Sequence, residues 1–465
     1  MIRPRLRQTG ALLVSAALAG CNLAPSYRPP TMAAAPAAFK EAPGWSLAAP
    51  SDAVAKGEWW TLFGDPQLDA LAAKVAVSNQ TVAQYRAAWS EARAATRGAR
   101  AAQFPTVTGG VGATRSGGSG ASSGTKGTEV SAQLSASWEA DLWGKLGNGV
   151  KEASASAEAS AGDLANATLS ARGALATDYL ELRGIDAQRS LLGATVTAYQ
   201  KALEITGNKY AAGTVARSDV DTAQAALSGA EADRRDLDRQ RAVLEHAIAV
   251  LAGENPSTFA IAADPAWTPV VPEVPSALPA QILERRPDIA AAERRVAAAN
   301  ADIGVQRAAY FPQVSLTADG SLSATSVGNL VTAPLSLWSL GMSALGTLLD
   351  FGANKAKVDQ SRAAFDAAAA AYRQTVLTAF QQVEDNLAAG AAYADEAGMR
   401  NTASAAADRA ETIARNQYLA GTIDYSSVVV AQTTAYSARQ ARIQAVIDRQ
   451  TTAVALILAL GGQWK

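Results

Sequence analysis

The chain has 465 residues, 41 Lys and Arg against 42 Asp and Glu, one His, one Cys and a mean hydropathy of +0.01. One His and one Cys exclude an internal disulfide and leave too little for a histidine- or thiolate-based metal site. So even a charge balance carries no electrostatic footprint for nucleic acid.

The first ten residues, MIRPRLRQTG, hold three Arg and no acid, and ALLVSAALAG is an apolar run of secretory-signal length. It is too short to stay as a membrane helix, which needs roughly 20 apolar residues. The run meets LAGC, so Cys21 stands behind small residues as in the lipobox of bacterial lipoproteins. Residues 1–20 read as a signal peptide, and 21–65 as an extension held in lipid by the acylated Cys21. Several acyl chains anchor firmly where one binds only marginally. Asn22, in place of an Asp that resembles an inner-membrane retention signal, favours the outer membrane. Cleavage leaves 38 basic against 42 acidic residues, a net charge of −4.

A helix is expected over 66–102, ending before Phe104-Pro105, and two strand-like stretches follow around a Gly/Ser-rich turn. In VSAQLSASWEADL, Val130, Ala132, Leu134, Ala136, Trp138, Ala140 and Leu142 alternate with polar residues. Alternation with period two is a strand pattern, because a helix would scatter both sets around its circumference. Thirteen residues exceed the mean soluble strand of about 5–6 and reach the roughly 9–11 that cross a bilayer at a tilt. Glu139 and Asp141 then face a wet lumen, and Trp138 and Trp143 are candidates for an interfacial girdle. A helix over about 150–207 follows, on the order of 85 Å long at 1.5 Å per residue. Next come NKYAAGTVARSDV at 208–220 and a return helix over 218–252. His246 sits on that helix's apolar period and reads as structural.

NPSTFAIAADPAWTPVVPEVPSALP, with six Pro, reads as an extended connection. The whole order then recurs. Pro287 and Asp288 open a helix to about 309, AAYFPQVS at 308–315 echoes AAQFPTVT at 101–108, and Val314, Leu316, Ala318, Gly320 and Leu322 alternate with polar residues. Asp319 falls on the polar, lumen-facing set. The uncharged region 320–349 is broken by Ser, Thr, Gly, Asn and Pro334, so it is no membrane helix. DFGANK at 350–355 loosely matches DLWGK at 141–145 and opens a helix over about 355–415. Phe365, Tyr372, Val376, Phe380, Val383 and Leu387 mark its buried face, and Arg373, Gln374, Gln381 and Glu384 its wet one. NQYLAGTIDYSSV at 416–428 repeats the earlier phrase at an offset of 208, and a last helix over 427–460 ends at Gly461-Gly462. The chain is therefore a tandem duplication, with repeats at 66–253 and 287–465 joined by a Pro-rich connection at 254–286.

Two strands per repeat give four per chain. A transmembrane barrel needs about eight, and an open edge in lipid leaves backbone groups unpaired, so the pattern requires an oligomer.

LPAQILERRPDIAAAERRVAAANADIGVQRAAYFPQVSL at 278–316 strongly resembles a hallmark of outer-membrane efflux proteins of the TolC-like, NodT-type lipoprotein family. EWWTLFGDPQLDALAAKVAVSNQ at 58–80 resembles the start of their first helix, and the two Tyr-x-x-Gly-Thr phrases resemble their hairpin tips. The resemblance implies a fold that is mainly α with β: a homotrimer with a 12-stranded transmembrane β-barrel continued by a long periplasmic α-helical barrel of twelve helices. It implies a passive exit duct in a tripartite efflux pump, partnered by a periplasmic adaptor and an inner-membrane transporter of RND type. It also implies that the tips, with Gly213, Thr214, Gly421 and Thr422, receive the adaptor and narrow the periplasmic mouth. Asp219 and Tyr418 match positions of a closing hydrogen bond, worth roughly 1.5–3 kcal/mol if sheltered. A gate Arg of some relatives is replaced here by Ile423, and acidic-ring positions by Ser427 and Val430, with Asp424 as a candidate substitute.

The outer-membrane component of a type I protein secretion system would share this architecture, although the lipobox tilts against it. A lipid-anchored periplasmic scaffold without a pore would leave the alternating strands unexplained. No phosphate-binding loop or nucleophile motif marks an enzyme, and no cofactor or metal is expected. Four Met and one His argue against a dedicated route for soft metals.

Overall fold

The computed structural model describes residues 22–31, 38–41, 57–117, 127–264, 267–274, 285–332 and 335–462. Cys21 and the signal peptide lie outside the described residues. The chain divides into two compact units, each drawing on both halves of the sequence. One takes residues from 22–31, 87–161 and 291–374, the other from 38–86, 162–290 and 375–462.

The elements in chain order are α1 (Pro66–Ser78), α2 (Gln80–Ala101), β1 (Thr106–Ser116), β2 (Gly127–Ala140), α3 (Lys145–Ala211) and α4 (Arg217–Leu251). The second half repeats them as α5 (Pro287–Ala308), β3 (Gln313–Ala324), a short α6 (Val327–Thr332), β4 (Leu335–Leu345), α7 (Ala353–Leu419) and α8 (Tyr425–Ala459). Helices α3 and α7 each have 67 residues and α4 and α8 each have 35. The long helices thus begin earlier and end later than periodicity alone placed them. Their first turns are capped by a carboxylate upstream. Asp141 accepts from the backbone N–H groups of Leu146 (3.0 Å) and Gly147 (2.7 Å), and Asp350 from those of Gly352 (2.9 Å) and Asn354 (2.8 Å). This is the physical content of the DLWGK and DFGANK echo.

The first helix is not continuous over 66–102. Asn79 takes an extended conformation (ψ 124°), its N–H closes α1 on the Val75 carbonyl, and its Oδ1 accepts the Val82 N–H at 3.0 Å to start α2. Asn competes well with helical backbone bonding through its own side chain, so one residue ends one helix and begins the next. Ahead of α1, the Trp59–Phe63 turn buries Trp59, Trp60 and Phe63. Gly64 at φ +65° reverses the chain, and Asp65 caps α1 with Pro66 at its first position.

The first unit holds a four-stranded antiparallel sheet in the order β1-β2-β3-β4. The second unit packs its helices around Leu175, Tyr179, Leu180, Leu182, Ile248, Val383 and Leu387, all at 1% exposure or less. Within α7, Tyr372, Val376, Val383 and Leu387 are buried while Arg373, Gln374 and Gln381 are exposed, as the helical period requires.

Candidate functional site

The sheet separates chemistry by face across β1, β2 and β3, while β4 carries Leu on both faces, with Leu335, Leu337 and Leu345 on the side that is polar elsewhere. Registers across β1–β2–β3–β4 align Val107, Ala136, Ala318 and Leu340, and one step along align Trp138, Leu316 and Met342. Leu134, Gly320 and Trp338 form a further row of the same face. Trp338, Leu340 and Met342 are 80%, 76% and 77% exposed, an apolar surface with no partner among the described residues. The opposite face aligns Thr108, Ser135, Asp319 and Ser339 in one row and Glu139, Ser315 and Ser343 in another. Ser315 and Ser343 hydroxyls meet at 2.8 Å, and Ser339 donates to Asp319 at 3.4 Å. Glu139 accepts from Lys145 at 3.2 Å and Gln313 at 2.6 Å.

Asp141 does not belong to this face. Strand β2 stops at Ala140, and both Asp141 oxygens are taken up in capping α3. Period two misplaced it because alternation continues by chance through the first residues of the turn. Trp143 lies in the same turn, stacked on Phe311 at 4.7 Å, with its indole N–H donating to the Pro312 carbonyl at 2.7 Å. Trp138 donates to the Gln103 carbonyl at 2.9 Å.

The repeated phrase forms the same turn twice. Gly213 (φ +73°) and Gly421 (φ +75°) adopt the left-handed conformation that glycine reaches without a Cβ clash. The Thr214 N–H and hydroxyl both donate to the Lys209 carbonyl at 2.9 Å, and Thr422 makes the same pair of bonds to Gln417 at 3.0 Å. Gly213 N–H to Tyr210 and Gly421 N–H to Tyr418 complete a Schellman end at each helix. Gly supplies the conformation and Thr the second acceptor-satisfying bond, so the Gly-Thr dipeptide recurs.

Past the turns the copies diverge. Ala216 begins α4 with no side-chain cap, whereas Asp424 caps α8, accepting from the Ser427 N–H (3.0 Å), Ser427 hydroxyl (2.7 Å) and Ser426 hydroxyl (3.0 Å). The Ser427 hydroxyl and N–H, with Ser426, hold the Asp424 carboxyl below the usual carboxylate range. Val430 is exposed, while Ile423 packs beside Tyr418, Tyr425, Val428 and Ala223.

The expected Tyr418–Asp219 bond is not formed within the chain. The Tyr418 hydroxyl is buried without a hydrogen-bond partner among the described residues. Its ring is held otherwise, 5.5 Å from the Tyr425 ring and capped by the Lys209 ammonium at 4.0 Å from its centroid. Packing and cation–π attraction orient the phenol into the Tyr425 cluster. Asp219 sits half-buried in the first turn of α4, where a carboxylate favours the helix dipole. Burial pushes the Tyr425 phenol up to about 12.

Sequence reasoning missed a buried ionic knot that fastens the Pro-rich connection. Asp186 accepts from Arg241 (2.8 Å), Arg189 (3.4 Å) and Arg183 (3.5 Å). Arg183 also donates to the Ala262 carbonyl at 2.9 Å and Gln67 at 2.6 Å, while Arg241 reaches the Ile261 carbonyl at 2.5 Å. Gln450 holds the Val270 carbonyl at 2.8 Å. The signal was available as charged residues on otherwise apolar helical stretches, but key partners lie far along the chain: Arg241 is 55 residues from Asp186, and Ala262 and Gln67 are 79 and 116 residues from Arg183.

At the start of the described chain, residues 23–27 lie along α5, and the Thr31 carbonyl accepts from Arg373 of α7 at 3.4 Å. The carbonyls of Leu23 and Pro25 accept from Arg307 (3.2 Å) and Asn300 (3.0 Å), and the Tyr27 hydroxyl donates to Glu293.

Compared with known proteins, the chain matches the model of a family described as outer membrane efflux protein twice, over residues 71–254 and 278–462. It is 30% identical to the pyoverdine export outer membrane protein OpmQ of Pseudomonas aeruginosa, over 89% of each chain. It is likewise 30% identical to the toluene efflux pump outer membrane protein TtgC of Pseudomonas putida, over 96% of this chain and 93% of that one. Among solved structures, the outer-membrane channel OprN superposes with a TM-score of 0.85 at 28% identity, covering 96% of this chain and all of the other.

Proposed function

Because the chain belongs to the outer membrane efflux protein family, we propose that it is the outer-membrane channel of a tripartite efflux pump. It acts as a passive exit duct for small molecules handed on by an inner-membrane transporter, of RND type, through a periplasmic adaptor. The observation that carries this reading is the four-stranded sheet, in which β1–β3 present one apolar and one polar face and β1 and β4 are each paired on one side only. An edge strand in lipid must find a partner, and β1 of one copy against β4 of the next continues the antiparallel alternation. Three copies close 12 strands, with Trp338, Leu340 and Met342 toward lipid and Glu139 and Asp319 toward water. The helices continue as a tube of twelve in the periplasm, four from each chain.

The duct does no chemistry; its wall needs width and polarity. In this reading Cys21 carries the lipid anchor and residues 23–27 run from it along α5. The turns at Gly213-Thr214 and Gly421-Thr422 form the tips that meet the adaptor. Asp219, Tyr418, Asp424 and Ser427 lie at the aperture, with Tyr418 acting through its packing on Tyr425 rather than through Asp219. The domain limits 66–253, 254–286 and 287–465 describe two repeats joined by an equatorial connection.

The deciding measurement is the native mass of the chain extracted from membranes in mild detergent. Three copies are expected. A stable monomer, with its β1 and β4 edges open, would remove the pore.

A further inference from the structure

A cavity of about 100 Å³ lies between α3 of the first hairpin and α7 and α8 of the second, lined by Thr195, Ala194, Tyr199, Glu411, Gln432 and Arg439. Its polar lining is unbalanced. Gln432 is 9% exposed, and its Oε1 has no hydrogen-bond partner among the described residues. The Arg439 guanidinium is turned to carboxylates instead, donating to Asp408 and Glu411 at 2.7 Å each. One guanidinium between two carboxylates leaves that triad with a net charge of −1. A buried acceptor without a donor carries the full cost of its desolvation, and a native interior rarely leaves it so.

We propose that this cavity is a binding site for a small alkylammonium cation, which donates an N–H to Gln432 Oε1 and neutralises the excess charge of the Asp408–Arg439–Glu411 triad. The volume sets the size: a water takes up about 30 Å³ of liquid, so the guest has about two to four non-hydrogen atoms. The charge sets the sign, and the orphaned carbonyl requires a donor, which a quaternary ammonium lacks. A guest here touches α3 and α8 together and ties the two hairpins at that level. The site lies inside one chain and does not depend on the duct reading.

The test uses the full chain purified in mild detergent and methylammonium chloride as probe, read by saturation-transfer NMR of its methyl protons. A saturable signal with a dissociation constant on the order of 10 mM is expected, the ceiling for so few atoms. Ammonium should compete, and tetramethylammonium, which lacks N–H donors and exceeds the cavity's size, should not. Gln432→Leu removes one charge-assisted bond and should weaken binding on the order of ten- to a hundred-fold. Ala194→Leu fills the cavity with Gln432 intact and should abolish the signal. Helical circular dichroism checks each variant; if Gln432→Leu does not fold, Gln432→Met carries the same comparison. No saturable signal, an equal response to tetramethylammonium, or a signal retained in Ala194→Leu or in the folded Gln432 variant would each overturn the site.

Discussion

Replacing Asp186 by Asn tests whether the ionic knot holds the Pro-rich connection. The Asp186 side chain is 5% exposed and that of Arg183 3%, so neither charge is replaced by water when the other is lost. In Asp186→Asn, Arg183 keeps neutral acceptors on Gln67, Ala262 and Tyr179, and Arg241 keeps Glu245 at 3.2 Å. Hydrogen bonds therefore survive, while the buried charge of Arg183 loses its nearest carboxylate. Breaking a buried pair from one side costs about 3–5 kcal/mol, and the remaining Glu245 argues for about 3. The double variant Arg183→Met with Asp186→Leu removes both charges and should recover part of that loss, because apolar replacement of a buried pair is often neutral. The assays are the thermal midpoint in detergent by circular dichroism, and limited proteolysis within 255–274, where cleavage should accelerate in the single variant. Unchanged stability in Asp186→Asn, or a double variant worse than the single, would refute the assignment of stability to the charge pair.

Leu340→Arg puts a charge on the apolar sheet face at a cost of about 2–4 kcal/mol at mid-membrane depth. It should reduce heat-modifiable oligomer in membranes, whereas Ser339→Arg on the opposite face should assemble normally. Burial, reinforced by Glu181, pushes the Asp178 carboxyl up to about 6 from an ordinary 3.8, so its contribution to stability is full below about pH 3.8 and lost as pH rises through about 6. Asp178→Asn should raise the thermal midpoint at pH 7 and flatten its slope between pH 4 and 6. Gly213 and Gly253 share φ +73°, but a Cβ at Gly213 meets nothing within 4 Å while one at Gly253 falls 2.2 Å from the Ser78 carbonyl oxygen. Gly213→Ala should cost only the left-handed strain of about 1–2 kcal/mol, and Gly253→Ala clearly more in the same melting assay.

The family and the order of elements were legible in the linear chain because both follow from local patterns. Period two in 130–140 and 314–322 is a property of the backbone's alternation, and the Gly-Thr turns are short-range hydrogen-bonded motifs. Duplication was legible because the same phrases recur at an offset of 208. The break at Asn79 is a cap that acts over three residues, yet periodicity bridged it because the apolar stripe of α1 and α2 continues in phase.

Tertiary structure alone decided what depends on distant partners. Asp141 reads as a strand residue until its oxygens are found on the backbone of α3, and Tyr418 reads as a donor to Asp219 until Tyr425 and Lys209 are seen holding its ring. The Arg183–Asp186–Arg241 knot pairs Asp186 with an Arg 55 residues away, and the orphaned Gln432 Oε1 exists only where three helices leave a gap. A sequence lays down the period of each element and the chemistry of each turn. Which side chains are left to meet, and which polar atom is left over, depends on how the helices pack.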